Sequence, residues 1–171
     1  MMGLLRLFRN WAVIIAGAAA IVSTPALAQT SATANSSATV VTPLTLVSDG
    51  SSLDFSSFQA GTGGTVVVTQ AGAVSATGDV VLLSSSPASA AGFDVTGEAN
   101  ESFLVSGDTS VTLTGPVGST PMNATLDAPT AAQALGAGGA ASFAVGGTLT
   151  VGNAQTPGAY SGTFNVTVAY Q

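Results

Sequence analysis

The clearest alternation of polar and apolar side chains lies in the last residues of the chain, from Thr163 to Gln171. The large apolar positions of this segment share one parity: Phe164, Val166, Val168 and Tyr170. Because successive side chains of a strand point to opposite faces, the segment is predicted to be a β-strand with one buried face. It is rich in β-branched and aromatic residues and contains no proline, as is typical of strands.

Shorter patterns of the same kind fill the rest of the chain, separated by Gly, Pro and Asp turn signals at roughly 8–12-residue spacing. The runs predicted to be strands are residues 40–47, 53–58, 65–69, 80–84, 92–97, 102–106, 110–114, 122–126, 141–145 and 148–151. We expect residues 71–78 to turn the chain, Gly146-Gly147 to separate two strands, and residues 131–135 to hold a helical turn. The pattern predicts an all-β antiparallel sandwich or barrel. A β-helix is the alternative, although the sequence shows no fixed repeat period.

The N-terminus has the features of an export signal. Arg6 and Arg9 precede an apolar run over residues 11–22, and Ala26-Leu27-Ala28 follows as a small-x-small cleavage site. An uncleaved membrane anchor is the alternative, but a bilayer span needs about 20 apolar residues. We therefore predict a cleaved signal peptide at residues 1–28, a flexible extension at 29–39, a β-sandwich domain at 40–171, and no membrane contact after cleavage.

Composition excludes several function classes. Both basic residues lie in the predicted signal peptide, so the net charge of −6 becomes −8 without it, and the rest of the chain has no Lys, Arg, His or Cys. Nucleic-acid binding depends on Lys and Arg, so we expect none. Nucleophilic systems built on His, Lys or Cys are absent, as are zinc or copper sites built on His or Cys. We predict a non-enzyme without a cofactor.

The carboxylates leave two weaker possibilities open. Asp94, Glu98 and Glu101 are close in sequence, and two carboxylates are the minimal equipment of a glycosidase. The same residues, or Asp49 and Asp54, offer oxygen ligands to calcium, although neither set follows the spacing of an EF-hand loop. Solvated acidic loops explain them more simply. We therefore expect no metal site, and a glycan-binding adhesin remains a lesser alternative.

Two C-terminal residues carry a resemblance to a known group of proteins. Tyr170 is penultimate and Gly158 is fourteenth from the end, which resembles the C-terminal motif of chaperone–usher pilus subunits. The wider chain resembles the secreted bacterial family called domain of unknown function 4402, itself similar to Mat/common-pilus major subunits and spore-coat U proteins. The residues that carry this are 41–44, 53–55, 92–97 and 158–171. Many pilins have a disulfide, which a chain without Cys cannot form.

The resemblance implies an immunoglobulin-like, pilin-like sandwich that lacks its last strand. A groove beside the C-terminal strand would be lined by Gly158, Phe164, Val166, Val168 and Tyr170. A periplasmic chaperone would fill it first, and the N-terminal extension of the next subunit would follow through an usher, by strand addition to an exposed edge. The implied protein is a structural subunit of a fimbria-like surface fibre, assembled head-to-tail after export through the periplasm to the cell surface.

The candidate donor strand lies in the N-terminal extension, where Ala32, Ala34, Ala38 and Val40 share one parity, interrupted by Ser36. Its small side chains would contribute only a few kcal/mol, at about 0.8 kcal/mol per methyl group. A disordered leader explains this segment equally well. The alternative function is a self-contained secreted or cell-surface β-sandwich that serves as a coat or matrix protein.

Overall fold

The computed structural model describes residues 30–84 and 87–171. The predicted signal peptide, residues 1–28, lies outside the described residues. The chain divides into two units, Met1–Ala38 and Thr39–Gln171. In the described part of the first unit, residues 30–38, every residue is exposed and outside a strand. Over the described ranges, no helix is both long and apolar enough to span a bilayer.

The second unit is built from β-strands. They are β1 (Thr45–Ser48), β2 (Phe58–Gln59), β3 (Gly64–Val68), β4 (Val74–Gly78), β5 (Val81–Leu82), β6 (Ala91–Thr96), β7 (Ser102–Gly107), β8 (Ser110–Leu113), β9 (Met122–Asp127), β10 (Gln133–Ala134), β11 (Ala140–Val151) and β12 (Val166–Tyr170). Every strand pairing in the described residues is antiparallel. The predicted all-β antiparallel sandwich is therefore confirmed, and the parallel β-helix is wrong.

The strands form three sheets. A seven-stranded sheet has the order β1-β6-β11-β3-β4, with β9 and β8 joined to it at β11. A three-stranded sheet has the order β10-β7-β12, and β2 pairs with β5. The long strand β11 pairs with β6 along residues 140–145 and with β9 and β3 beyond them. It therefore links the two halves of the large sheet.

The glycine pair in the middle of β11 does not separate two strands, and that prediction is wrong. Gly146 and Gly147 are buried inside one continuous strand. A Cβ on Gly146 would collide with the carbonyl oxygen of Val68, and one on Gly147 would lie 2.9 Å from that of Thr125. These glycines are required because neighbouring backbones approach closely, and not because the chain turns.

Three other local predictions are also wrong. Residues 71–78 contain β4, which pairs along the whole of β3, although most of its side chains are small. Residues 131–135 hold β10 and not a helical turn. Residues 40–44 lie outside any strand. In the first two cases a neighbouring strand supplies the backbone partners, and this tertiary effect outweighs a weak local pattern.

Two clusters of apolar side chains form the core. The first is centred on residues from β3, β8, β9 and the second half of β11, including Val66, Val68 and Leu149. The second contains Val95 and Phe103, both fully buried, together with Phe143. Partly buried side chains that pack against both clusters connect them: Leu53, Leu126 and Phe164.

Candidate functional site

The C-terminal strand β12 lies at the edge of its sheet and pairs with β7 alone among the described strands. The Asp108 amide donates to the Asn165 carbonyl at 3.0 Å, and the Gln171 amide donates to the Ser102 carbonyl at 3.1 Å. Odd-numbered residues of β12 therefore direct their backbone groups at β7. Because these groups alternate along an antiparallel strand, those of Val166, Val168 and Tyr170 point to the other edge. No strand of residues 30–84 or 87–171 pairs with that edge.

Strand β1 is the corresponding edge strand of the large sheet, where it pairs only with β6 among the described strands. Side chains from both edge strands, and from the residue before β1, pack against the second cluster but remain half-buried: Leu44, Leu46, Val166, Val168 and Tyr170. We call the surface formed by these side chains beside the free edge of β12 the edge groove. Its apolar side chains are only partly covered.

The Tyr170 side chain is fixed by two hydrogen bonds. Its hydroxyl donates to the Thr42 carbonyl at 2.7 Å and accepts from the Glu98 amide at 2.6 Å. The Thr42 amide donates to Oε2 of Glu98 at 2.9 Å. These three residues, which we call the Tyr170 clasp, join the end of β12 to the segment before β1. A Cβ on Gly97 would collide with the Tyr170 hydroxyl, so the clasp leaves no free space on that side.

The clasp also affects the ionisation of the Glu98 carboxyl group. The Thr42 backbone and side chain donate hydrogen bonds that lower the pKa of the Glu98 carboxyl, against a small opposing effect of burial. Hydrogen bonds to a carboxylate favour its charged form. Glu98 therefore serves the clasp as an anion.

The second unit also contains a cavity of about 740 Å³. The segments 52–61 and 154–162 form its rim, with Phe164 between them. Its apolar wall includes Leu53, Phe55, Phe58, Met122, Tyr160 and Phe164. Leu53 and Phe164 also pack against the second cluster, so the cavity adjoins that cluster.

The predicted groove residues fall into two places. Val166, Val168 and Tyr170 line the edge groove, whereas Gly158 and Phe164 line the cavity. Gly158 has a φ of +152°, and a Cβ there would collide with the Pro116 ring. Its role in this fold is to let the rim of the cavity pass close to Pro116.

Two features were not predicted from the sequence: the part of the edge groove formed by Leu44 and Leu46, and the Tyr170 clasp. The shared parity of Leu44 and Leu46 was visible, and Pro43 beside them indicates an edge strand or a strand that switches sheets. Neither feature showed that these side chains would pack against the same cluster as β12. Thr42 and Glu98 gave no signal, because their link to Tyr170 depends on a contact across 128 positions of the chain.

The candidate donor residues are all exposed. Ala32, Ala34 and Ala38 lie in residues 30–38, outside any strand. Val40 is 96% exposed and also lies outside a strand.

The acidic residues have structural roles or face solvent. Asp94 is exposed on β6, Glu98 belongs to the clasp and Glu101 is exposed. Asp49 and Asp54 each accept a backbone amide two residues ahead, at 2.7 Å, as turn-forming Asp residues do. Within residues 30–84 and 87–171, no three His, Cys, Asp or Glu side chains are grouped so that they could hold a metal ion.

Comparison with known families identifies the domain. The family described as Domain of unknown function (DUF4402) matches residues 44–170, well over half of the chain. The chain belongs to this family. No curated protein and no solved structure matches it. The DUF4402 match begins just before β1 and ends at Tyr170, so it includes both edge strands and the cavity but not the candidate donor residues.

Proposed function

We propose that this chain is a non-enzymatic structural subunit of a surface fibre, and that it completes its β-sandwich by accepting an extended strand in the edge groove. One observation carries the proposal: β12 has an unpaired edge directly beside half-buried apolar side chains. An added strand would pair with that edge and cover those side chains at the same time. This combination is the physical basis of strand addition in protein recognition.

The energetics make the identity of the added strand important. Three residues of β12 each offer one N–H and one C=O, and each hydrogen bond contributes a net ~0.5–1.5 kcal/mol. Ordering the backbone of a donor costs about 1–2 kcal/mol per residue. For a donor of about seven residues the ordering cost, about 7–14 kcal/mol, exceeds the gain of about 3–9 kcal/mol from six hydrogen bonds. Side-chain burial must therefore supply the difference if the complex is to be stable.

The proposed partners follow from this arrangement. The chain's own N-terminal extension supplies the strand that links one subunit to the next, head-to-tail. A periplasmic chaperone holds the groove before assembly and an usher directs it. The protein then passes through the periplasm to the cell surface, as its N-terminal export pattern supports.

Deletion of residues 29–38 tests the proposal. We expect the truncated protein to fold, because the described part of this segment contributes no strand, and to lose the ability to polymerise with chaperone and usher present. Size-exclusion chromatography and electron microscopy would measure assembly. Fibres formed by the truncated protein would refute the proposal.

A self-contained coat or matrix protein is the second candidate, because the clasp already joins β12 to the segment before β1. Refolding without a chaperone distinguishes the two functions. A monomer that stays soluble and stable for days favours the second candidate. Aggregation or a ladder of strand-exchanged oligomers favours the first.

A further inference from the structure

We propose that the cavity of about 740 Å³ binds one uncharged small molecule with an aromatic or alkyl body. The cavity and the edge groove are built from different residues. None of Leu44, Leu46, Val166, Val168 and Tyr170, which form the edge groove, lines the cavity. The proposal therefore adds a ligand site to the domain and does not depend on strand addition.

The cavity has the size and the walls of a small-molecule site. Pockets for such ligands have volumes of about 300–1,000 Å³ and are lined mainly by apolar and aromatic side chains. The side chains of Phe58, Leu113, Tyr160 and Phe164 line the cavity and are only partly buried where they pack on the first cluster. Each keeps apolar surface that a ligand can cover. Met122, which is 4% exposed, belongs to the same lining.

Several polar groups of the rim are already partnered within the protein. The Tyr160 hydroxyl donates to the Thr156 carbonyl and accepts from the Gln155 side-chain amide, both at 2.9 Å. The Asp54 carboxylate accepts from the Ser56 amide at 2.7 Å. In residues 30–84 and 87–171, no buried side-chain nitrogen or oxygen lacks a hydrogen-bond partner. The cavity therefore offers a ligand apolar contact and not unpaired buried polar groups.

Charge determines the class of ligand. Residues 30–171 contain no Lys, Arg or His, so an anion that left water for the cavity would gain no counter-charge. Asp54 is the only carboxylate among the lining residues, and it is exposed. An exposed carboxylate contributes little to the binding of a cation. An uncharged molecule meets neither limit.

The backbone of both rim segments adopts an uncommon conformation. Ser56 and Ala154, one in each segment, have φ values of 69° and 49°, in the left-handed region that few residues other than glycine adopt. The other non-glycine residue with positive φ in the described ranges is Asn100, a residue type that tolerates it. Strained conformations of this kind cluster at ligand sites, where the surrounding structure holds them. Their position on the rim supports a site whose shape is fixed before the ligand binds.

A matched pair of fluorescent probes tests the ligand class. Phenylnaphthylamine is uncharged, and anilinonaphthalene sulfonate has the same aromatic body with an added sulfonate. From the usual affinity per atom of ligands of this size, we expect the uncharged probe to bind with a Kd of about 0.2 mM or tighter when it is titrated with the protein. The sulfonate should bind about tenfold more weakly or worse. Equal binding of both probes would overturn the ligand class, and no binding of the uncharged probe would overturn the site.

The Met122 methyl group reports on the cavity directly, because Met122 is the only methionine after residue 2. In protein with isotope-labelled methionine methyl groups, the uncharged probe should shift the Met122 resonance in NMR spectra. The shift should follow the same titration curve as the probe fluorescence. A probe that binds while the Met122 resonance stays unchanged would overturn the cavity as its site.

A substitution with a matched control tests the location independently. Leu113→Trp places a larger side chain in the cavity lining and should weaken binding of the uncharged probe about tenfold, because it takes space that the ligand needs. Leu104→Trp is the same exchange at a 39% exposed leucine of β7 that does not line the cavity, and it should leave binding unchanged. Urea midpoints show whether both variants fold, and the Met122 resonance of the natural chain decides if Leu113→Trp does not. Equal binding by two folded variants would overturn the location.

Two further measurements separate this site from strand addition. Deletion of residues 29–38 should leave probe binding unchanged, since none of them lines the cavity. Displacement of the probe by a synthetic peptide of residues 30–40 would overturn a small molecule as the occupant. Failure of fibre assembly in a protein that still binds the uncharged probe at Met122 would refute the proposed function and support the ligand site.

Discussion

Replacing Tyr170 with Phe tests the clasp, because it removes only one heavy atom, the hydroxyl oxygen. The aromatic ring stays in the second cluster, and only the hydroxyl is lost, together with its two hydrogen bonds. The Glu98 amide is partly buried and loses its partner, which costs about 1–3 kcal/mol. The Thr42 carbonyl is exposed, so water can replace the hydroxyl there at little cost. We expect Tyr170→Phe to lower the free energy of unfolding by about 2 kcal/mol.

Urea denaturation of the monomer measures this change. For a domain of this size a loss of about 2 kcal/mol moves the unfolding midpoint by roughly 1 M, with the slope m unchanged. Hydrogen exchange gives a local readout, because the Glu98 amide should exchange faster than its neighbours.

Tyr160→Phe is the matched control. The Tyr160 hydroxyl donates to the exposed Thr156 carbonyl and accepts from Gln155, both at 2.9 Å. Gln155 also donates to the Thr120 carbonyl, so it keeps a partner, and the loss should stay below about 1 kcal/mol. A Tyr170→Phe effect no larger than that of Tyr160→Phe, with unchanged exchange at Glu98, would refute the role of the clasp.

Three further predictions concern the fold around the groove. Gly97→Ala should destabilise the domain by about 1–3 kcal/mol in urea denaturation, because its Cβ collides with the Tyr170 hydroxyl; Gly138→Ala, with open space around it, should be neutral. Gly146→Ala should lower the yield of folded protein and reduce the free energy of unfolding more than Gly97→Ala does, because its Cβ meets backbone that cannot move aside. Equal urea midpoints for the two variants would contradict this. Hydrogen bonding lowers the pKa of Glu98 in the folded state. The ionised Glu98 carboxylate therefore stabilises the fold at pH values above its ordinary pKa of about 4.5, and this stabilisation is lost as the pH falls through the lower pKa of the folded state. The difference in stability between the natural chain and Glu98→Gln, followed by urea denaturation from pH 7 to pH 2.5, should therefore shrink with acid, and a difference that is constant with pH would exclude an ionic role.

The edge groove also has a consequence for solubility. An unpaired strand edge beside apolar side chains favours uncontrolled pairing with other chains. The outward residues of β12 are polar or small, and the described edge is short, which reduces this risk.

The sequence by itself determined the fold class and the buried face of the last strand. Alternation in residues 164–170 is a local property, because each side chain reports which face of its own strand is apolar. The resulting prediction for Val166, Val168 and Tyr170 agrees with their half-buried positions. The glycines at positions 146 and 147 were visible, but their role was not, since it depends on the backbones of β3 and β9 on either side.

Only the tertiary structure decided which strands lie at an edge. Alternation identifies the faces of a strand but not its neighbours. Pro43 indicated an edge near β1, but no residue type showed that β12 is an edge strand or that β1 and β12 pack against the same cluster. The Tyr170 clasp depends on backbone groups of Thr42 and Glu98, which every residue except proline possesses and which therefore leave no mark in a sequence. The edge groove is set by long-range packing, and it is the feature on which the proposed function depends.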